Sequence, residues 1–150
     1  MKPKLLLRIA ALLILFLAIG HAIDHFTRKM TTDPAQKEVI RQMEQYKFNV
    51  NGSMRSWDDL YEGLSLDVSI VLLILTTIFS MLASVAKKHP KICFDFLWPY
   101  LICFIALTVT GFCFFFIVPG IAGLIICILI ILAMVQLSKQ LKLSAPGENL

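Results

Sequence analysis

The sequence predicts an all-α fold, a four-helix transmembrane bundle with one extracytoplasmic loop that carries a short amphipathic helix. Of its 150 residues, 58% are hydrophobic and 16% are charged, whereas soluble domains average about 45 to 50% apolar and about 25% charged residues. Residues 92–137 contain a single charge, Asp95, and are interrupted by Val118, Pro119 and Gly120. Because one crossing of about 30 Å needs about 20 apolar residues, this run is long enough for two helices that meet at a Pro-Gly turn.

The four spanning helices are predicted within a single membrane domain of residues 1–150, at about 5–25, 57–86, 92–117 and 121–138. The first apolar run has small residues, Ala18 and Gly20, where a signal peptidase would cut. Its length of about 19 residues nevertheless exceeds the 7 to 15 residues of a signal peptide's apolar region, which favours a spanning helix. The second helix is predicted to begin ahead of its apolar run, because Ser56 and Asp59 have the spacing of a capping box.

The loop between the first two spans, residues 26–56, is predicted to contain an amphipathic helix at about 34–47. Asp33 followed by Pro34 is typical of a helix start. Apolar residues then recur at helical spacing, namely Val39, Ile40, Met43 and Tyr46. Asn51 and Gly52 predict a turn after the helix. Such a helix lies on the membrane surface or covers the mouth of the bundle; the alternative is a solvated helix that only connects two spans.

Basic residues near the helix ends predict the orientation in the cell membrane. The amino terminus contributes three Lys or Arg residues, the 87–91 connector three and the carboxyl end two, all on one side if four helices alternate. Residues 24–62, which include the long loop, contain six basic residues that are offset by seven acidic ones. The positive-inside rule therefore predicts a multi-pass protein with both termini in the cytoplasm and the long loop outside.

Titratable residues near the loop-facing ends of the first two helices are the candidate ligand-binding or proton-binding groups. These candidates are His21, Asp24, His25, Arg55, Asp58, Asp59, Glu62 and Asp67. Histidine titrates near neutral pH and neighbouring acids shift it, so such a cluster suits proton or ligand chemistry. His21 and His25 share one helix face and are the weak candidates for a metal, which is otherwise not predicted. The alternative is a set of wet interfacial side chains that pair with Arg28 or Arg55.

The second spanning helix also has a polar stripe along one face. At 100° per residue the stripe comprises Asp58, Glu62, Ser65, Ser69, Thr76 and Ser80, with Ser84 close behind. Such a stripe either lines a polar path that leads down from the acidic end or lets another helix pack closely. Asp67 lies on roughly the opposite face, near the hydrocarbon boundary, where an ionised carboxylate needs a partner.

Several function classes receive no support from the sequence. All four cysteines, at positions 93, 103, 113 and 127, lie in the apolar hairpin without a C-x-x-C pair, which favours packing over zinc or redox chemistry. The basic residues flank apolar runs and do not form the cluster that a nucleic-acid-binding surface requires. No G-x-S-x-G, phosphate-binding glycine loop or H-E-x-x-H motif is present, so neither an enzyme class nor a cofactor is indicated.

A set of short motifs gives the chain a family resemblance. The motifs are distributed over most of its length: Gly20-His21, His25-Phe26, Asp33-Pro34, the run Arg55-Ser56-x-x-Asp59-x-Tyr61-Glu62-Gly63 and Leu97-Trp98-Pro99. In these motifs it resembles a bacterial family of small four-helix membrane proteins of unknown function, and the resemblance implies topology without an activity. The layout is also distantly similar to DoxX-type and sterol-isomerase-like membrane proteins, an analogy that does not establish function.

Two functions are expected from these features. The first is binding of a small or lipophilic molecule in a polar pocket at the extracytoplasmic end of the first two spans, with His21, His25, Glu62 and Asp67 as acid-base or hydrogen-bonding groups. The second is a non-catalytic accessory or structural subunit, which associates with itself or with a membrane partner through the Ser/Thr face of the second span. The bilayer is the common partner of both functions, and nucleic acid is a partner of neither.

Overall fold

The structure is a computed structural model that describes the backbone of residues 2–144 and the side chains of residues 2–143. Within this part of the chain there are five α-helices: α1 (Pro3–Thr27), α2 (Pro34–Gln45), α3 (Trp57–Val85), α4 (Pro90–Phe114) and α5 (Ile117–Ser144). All of them except α2 are long and apolar enough to span a bilayer. The predicted all-α fold with four spanning helices is confirmed, and the chain is a multi-pass membrane protein.

The chain divides into two compact units. The bundle unit comprises residues 1–17 and 74–150, and the loop unit comprises residues 18–73. The helices α1 and α3 each contribute one part to each unit.

The core of the bundle unit is formed by apolar side chains from four helical segments. Leu7 and Ile14 of α1 and Phe79 of α3 are fully buried, as are many residues of α4 and α5. The Phe79 ring meets the Phe104 ring of α4 edge-on, with ring centroids 5.9 Å apart. Edge-to-face aromatic pairs of this kind add to the gain from burial alone and hold α3 against α4.

The connection between α4 and α5 lies earlier in the chain than the sequence predicts. It is formed by Phe115 and Phe116, so the predicted break at 118–120 falls inside the first turn of α5. Pro119 is tolerated there because the first N–H groups of a helix have no partner within the helix. The Phe115 N–H, 3.2 Å from the Gly111 carbonyl oxygen, closes the end of α4.

Small residues let α4 and α5 approach each other closely next to this connection. A Cβ atom added to Gly111 would lie 3.2 Å from the Cα of Gly120, and one added to Gly123 would lie 2.5 Å from Oγ1 of Thr108. Thr108 is buried, and its hydroxyl donates to the Phe104 carbonyl at 2.6 Å. The backbones of the two helices therefore approach each other closely at Gly111 and Gly120, as small residues permit in membranes.

The helix boundaries of the loop unit follow from side-chain caps. Asp33 caps α2, since its Oδ1 accepts from the Ala35 N–H at 2.9 Å, and Pro34 occupies the first helical position. The Ser56 Oγ accepts from the Asp59 N–H at 3.1 Å, while an Asp59 carboxylate oxygen accepts from the Ser56 N–H at 2.8 Å. This reciprocal pair is the predicted capping box, and it starts α3 at Trp57.

The predicted turn at Asn51 and Gly52 belongs to a β-hairpin that the sequence analysis does not include. Strands β1 (Lys47–Val50) and β2 (Ser53–Ser56) pair antiparallel, with Lys47 opposite Ser56. Asn51 and Gly52 both have positive φ, at 49° and 89°. These values are those of a two-residue type I′ turn, whose twist matches that of the flanking strands.

Candidate functional site

Five charged side chains form a cluster in the loop unit, which we call the charge cluster. They are Arg28, Lys29, Glu44, Asp58 and Glu62. Arg28 Nη2 is 2.5 Å from Asp58 Oδ1 and 3.6 Å from Glu62 Oε1. Lys29 Nζ lies 2.7 Å from Asp58 Oδ2, 2.8 Å from Glu62 Oε1 and 2.9 Å from Glu44 Oε1. Both oxygens of Asp58 are therefore bound by a cation.

Three local structures bring the charge cluster together. α1 passes into a 3-10 turn at Arg28–Met30, which presents two adjacent cations. Asp58 lies in the first turn of α3 and Glu62 one turn further along, whereas Glu44 comes from α2. The cluster thus joins the end of α1, the start of α3 and the last turn of α2.

The charge cluster has a buried centre and an exposed rim. The side chain of Asp58 is 6% exposed and that of Arg28 is 14% exposed. Lys29 and Glu62 are exposed to 42% and 44%. The Arg28 guanidinium carbon also lies 4.4 Å from the centroid of the Tyr61 ring, within the range of a cation–π contact. Removal of a buried ion's partner costs far more than removal of a rim charge, so Asp58 and Arg28 dominate the energetics.

His21 does not join the charge cluster. Its Nε2 lies 3.1 Å from the carbonyl oxygen of Ser65 and 3.2 Å from the Ser65 hydroxyl. A carbonyl oxygen can only accept, so Nε2 carries the proton and donates it to this bond. His21 therefore joins α1 to α3 through the Ser65 backbone.

His25 and Asp24 have different surroundings. Nδ1 of His25 is buried and has no hydrogen-bond partner among residues 2–143. The His25 ring meets the Phe26 ring edge-on, with centroids 4.9 Å apart. Asp24 is exposed. Among the described residues, no three His, Cys, Asp or Glu side chains come together as a metal site would require.

The other predicted candidates are distributed over the loop unit. Asp59 serves in the capping box, and Arg55 is exposed on β2 opposite Phe48. Asp67 is also exposed. Of the eight candidates, the structure joins Asp58 and Glu62 in one cluster, whereas His21 and Asp67 are not part of it.

The predicted polar stripe of α3 divides into two parts. In the loop unit three of its members contact other side chains: Ser65 contacts His21, while Asp58 and Glu62 bind Arg28 and Lys29. Ser69 donates to the Ser65 carbonyl of its own helix at 3.1 Å. Further along, Ser80 and Ser84 are exposed, and each hydroxyl donates to the carbonyl four residues earlier, at 2.9 and 3.0 Å. These exposed hydroxyls are satisfied within their own helix.

An apolar groove lies beside the charge cluster, between α2 and the ends of α1 and α3. We call it the α2 groove; its volume is about 390 Å³, and its lining comprises Arg28, Ala35, Gln36, Val39, Ile40, Met43 and Tyr61. No residue of α2 is buried, and Val39 is 57% exposed. The apolar face of the amphipathic helix therefore borders an open space, and the guanidinium group of Arg28 and the phenol ring of Tyr61 line the same space.

The opposite face of α2 is polar and internally bonded. Arg41 donates to both carboxylate oxygens of Glu38, at 2.5 and 2.7 Å, and Gln42 donates to Oε1 at 2.9 Å. These hydrogen bonds, led by those from Arg41, lower the pKa of Glu38 from 4.5 to about 2. Glu38 is consequently ionised and paired with Arg41 near neutral pH. The apolar face of α2 lies on the other side of the helix and lines the groove.

Lys29, Glu44 and the groove residue Ala35 are not among the sequence candidates. Arg28 is expected only as a counterion, and no motif marks Lys29 as a site residue. One available signal is the adjacency of Arg28 and Lys29 to the end of an apolar helix, opposite an acidic helix start.

Comparison of the chain with protein-family models, with curated proteins and with solved structures finds no match. The resemblance to a family of small four-helix membrane proteins therefore stays a prediction.

Proposed function

We propose that this multi-pass membrane protein binds a lipophilic small molecule in the α2 groove, on the extracytoplasmic side of the cell membrane, with both termini in the cytoplasm. The observation that carries the proposal is the uncovered apolar face of α2 beside Arg28 and Tyr61. Ligand pockets of about 300 to 1,000 Å³ with apolar walls and a few polar groups are typical of small-molecule sites. The orientation is supported by the basic residues near the termini.

The ligand of this proposal has an apolar body and a hydrogen-bond acceptor at one end. The apolar body would contact Val39, Ile40 and Met43. Within residues 2–143 the hydrogen bonds of Arg28 run through Nη2 alone, so its Nε and Nη1 remain as donors for the acceptor. The charge cluster holds the guanidinium group in place through Asp58. In this role Asp58 and Glu62 position Arg28 and do not themselves contact the ligand.

The test uses a photoactivatable palmitic acid with a diazirine in its chain, added to the protein in lipid nanodiscs. We expect adducts on residues of α2 and on Tyr61, in excess over those on the lipid-facing side chains of α5. Substitution of Ala35 by Trp fills the groove and should reduce the α2 and Tyr61 adducts at least fivefold.

The matched control for this test is Lys37→Trp, which places the same side chain on α2 at an exposed position outside the groove lining. It should leave the adduct pattern unchanged. Equal labelling in the Ala35→Trp protein and the wild type, or adducts on the spanning helices alone, would contradict the proposal.

A second candidate function is association with another membrane helix through the exposed part of the α3 stripe. Ser80 and Ser84 are exposed one helical turn apart, and the internally bonded hydroxyl groups leave a small surface there. Small residues of this kind favour helix association in membranes. The partner is then a second copy or another membrane protein.

Bulky substitutions test the association. Ser80→Phe and Ser84→Phe should shift a homo-oligomer to monomer in analytical ultracentrifugation in detergent, whereas Ile102→Phe, at an exposed position of α4, should not. A wild type that is monomeric in both detergent and lipid rules out self-association. Unchanged oligomers after both serine substitutions would assign the contact to another surface.

A further inference from the structure

The bundle unit contains a second open crevice, between α4 and α5, which we call the α4–α5 crevice. Its volume is about 430 Å³. The lining includes Leu101 and Ile131 at one end, Trp98 and Met134 in the middle, and Lys139 and Lys142 at the other end. The crevice therefore changes from apolar to cationic along α5, in the direction of the last helical turns.

The length of the crevice corresponds to one leaflet of a bilayer. From Ile131 to Lys142 there are eleven steps of 1.5 Å along α5, or about 16 Å. This is about half of the 30 Å hydrocarbon thickness. Trp98 lies at an intermediate level of the crevice and is 51% exposed.

The cationic end of the crevice is formed by two lysine side chains. Lys139 and Lys142 lie on one face of α5, three residues apart, and both are exposed. Neither forms an ion pair with any side chain of residues 2–143, whereas Lys91 on α4 is bound to Asp95 at 2.9 Å. Two lysine residues at the end of an apolar crevice, without an acidic partner among residues 2–143, complement a negative headgroup attached to acyl chains.

We infer that the α4–α5 crevice binds an anionic phospholipid, with an acyl chain along Leu101 and Ile131 and the phosphate group near Lys139 and Lys142. Basic pockets between spanning helices bind acidic lipid headgroups, and each lysine near an anionic headgroup contributes about fivefold in affinity. This inference is independent of the proposed function, because it concerns other residues of another unit.

The experiment is native mass spectrometry of the protein released from detergent with increasing phosphatidylglycerol or phosphatidylcholine. We expect phosphatidylglycerol to bind about 25-fold more tightly than phosphatidylcholine, from the two lysine residues together. The double variant Lys139→Gln/Lys142→Gln should lose this preference. The matched control Lys87→Gln/Lys88→Gln removes two exposed charges outside the crevice and should keep it.

A second pair of variants tests the apolar part of the crevice. Val135→Trp fills the crevice and should weaken both lipids, whereas Leu132→Trp, equally exposed on α5 but outside the lining, should weaken neither. Glycerol phosphate added in excess should not displace the bound lipid, because it lacks acyl chains. Equal binding of the two lipids to the wild type overturns the inference, as does an equal loss of preference in both double variants.

Discussion

Replacement of Arg28 and Lys29 together by methionine is expected to lower the free energy of unfolding by about 3 to 5 kcal/mol. The double substitution leaves the carboxylate of Asp58, whose side chain is 6% exposed, without either of its cations. A buried charge that loses its partner retains its desolvation cost, and this is the origin of the large effect. Unfolding with sodium dodecyl sulfate in mixed micelles, followed by circular dichroism, measures the change.

Two comparisons isolate the buried charge as the cause. Lys37→Met/Lys47→Met removes two exposed charges that have no ion-pair partner within residues 2–143, and it should change the free energy of unfolding by less than about 0.5 kcal/mol. The addition of Asp58→Leu to the Arg28→Met/Lys29→Met protein should restore most of the loss, since an apolar replacement of a whole buried ion pair is often neutral. If both double variants unfold alike, Asp58 is hydrated and the charge cluster contributes little.

The spanning helices and the helix caps were predictable because each depends on neighbours in the sequence. An apolar run must form a helix in the bilayer, since no water satisfies its backbone groups. The capping box at Ser56 and Asp59 involves two residues three positions apart. Local chemistry of this kind is complete in the sequence and needs no knowledge of the tertiary structure.

The charge cluster was not predictable in the same way. Its contacts join Lys29 to Asp58, 29 positions away, and to Glu44 on another helix. The sequence predicts that His21 and Asp67 both lie near the loop-facing ends of their helices, but depth in the membrane does not determine which face of a helix a side chain occupies. In the structure the imidazole of His21 is hydrogen-bonded to the Ser65 carbonyl. The cations adjacent to the end of α1 form ion pairs with Asp58 and Glu62.

The α4–α5 connection and the segment around Asn51 differ from the prediction for separate physical reasons. Proline is compatible with the first turn of a helix as well as with a turn, so Pro119 lies within α5, and Gly120 serves for close approach to Gly111. Asn51 and Gly52 form the predicted turn, and the alternating Phe48 and Val50 beside it belong to the strands of a hairpin that the turn alone does not predict.

Substitution of Gly123 by alanine is the second large effect that we expect, a loss of about 1 to 3 kcal/mol in the free energy of unfolding. The new Cβ would lie 2.5 Å from Oγ1 of Thr108. That hydroxyl donates to the Phe104 carbonyl at 2.6 Å and its residue is buried, so rotation away from the new Cβ would break this hydrogen bond in a buried site. Gly120→Ala should cost less, because the Phe112 ring that it meets is 49% exposed and can move.

The matched controls for Gly123 are glycine residues of other helices. An added Cβ at Gly20 or Gly63 meets nothing within 4 Å, so alanine there should stabilise its helix by up to about 1 kcal/mol. The effect of alanine on the free energy of unfolding thus changes sign between Gly123, where the added Cβ meets Thr108, and Gly20 or Gly63, where it meets nothing within 4 Å. Thr108→Ala combined with Gly123→Ala should recover at least half of the loss, because the clashing oxygen is removed. If Gly123→Ala stabilises the protein as much as Gly63→Ala does, α4 and α5 are not in close contact at Thr108.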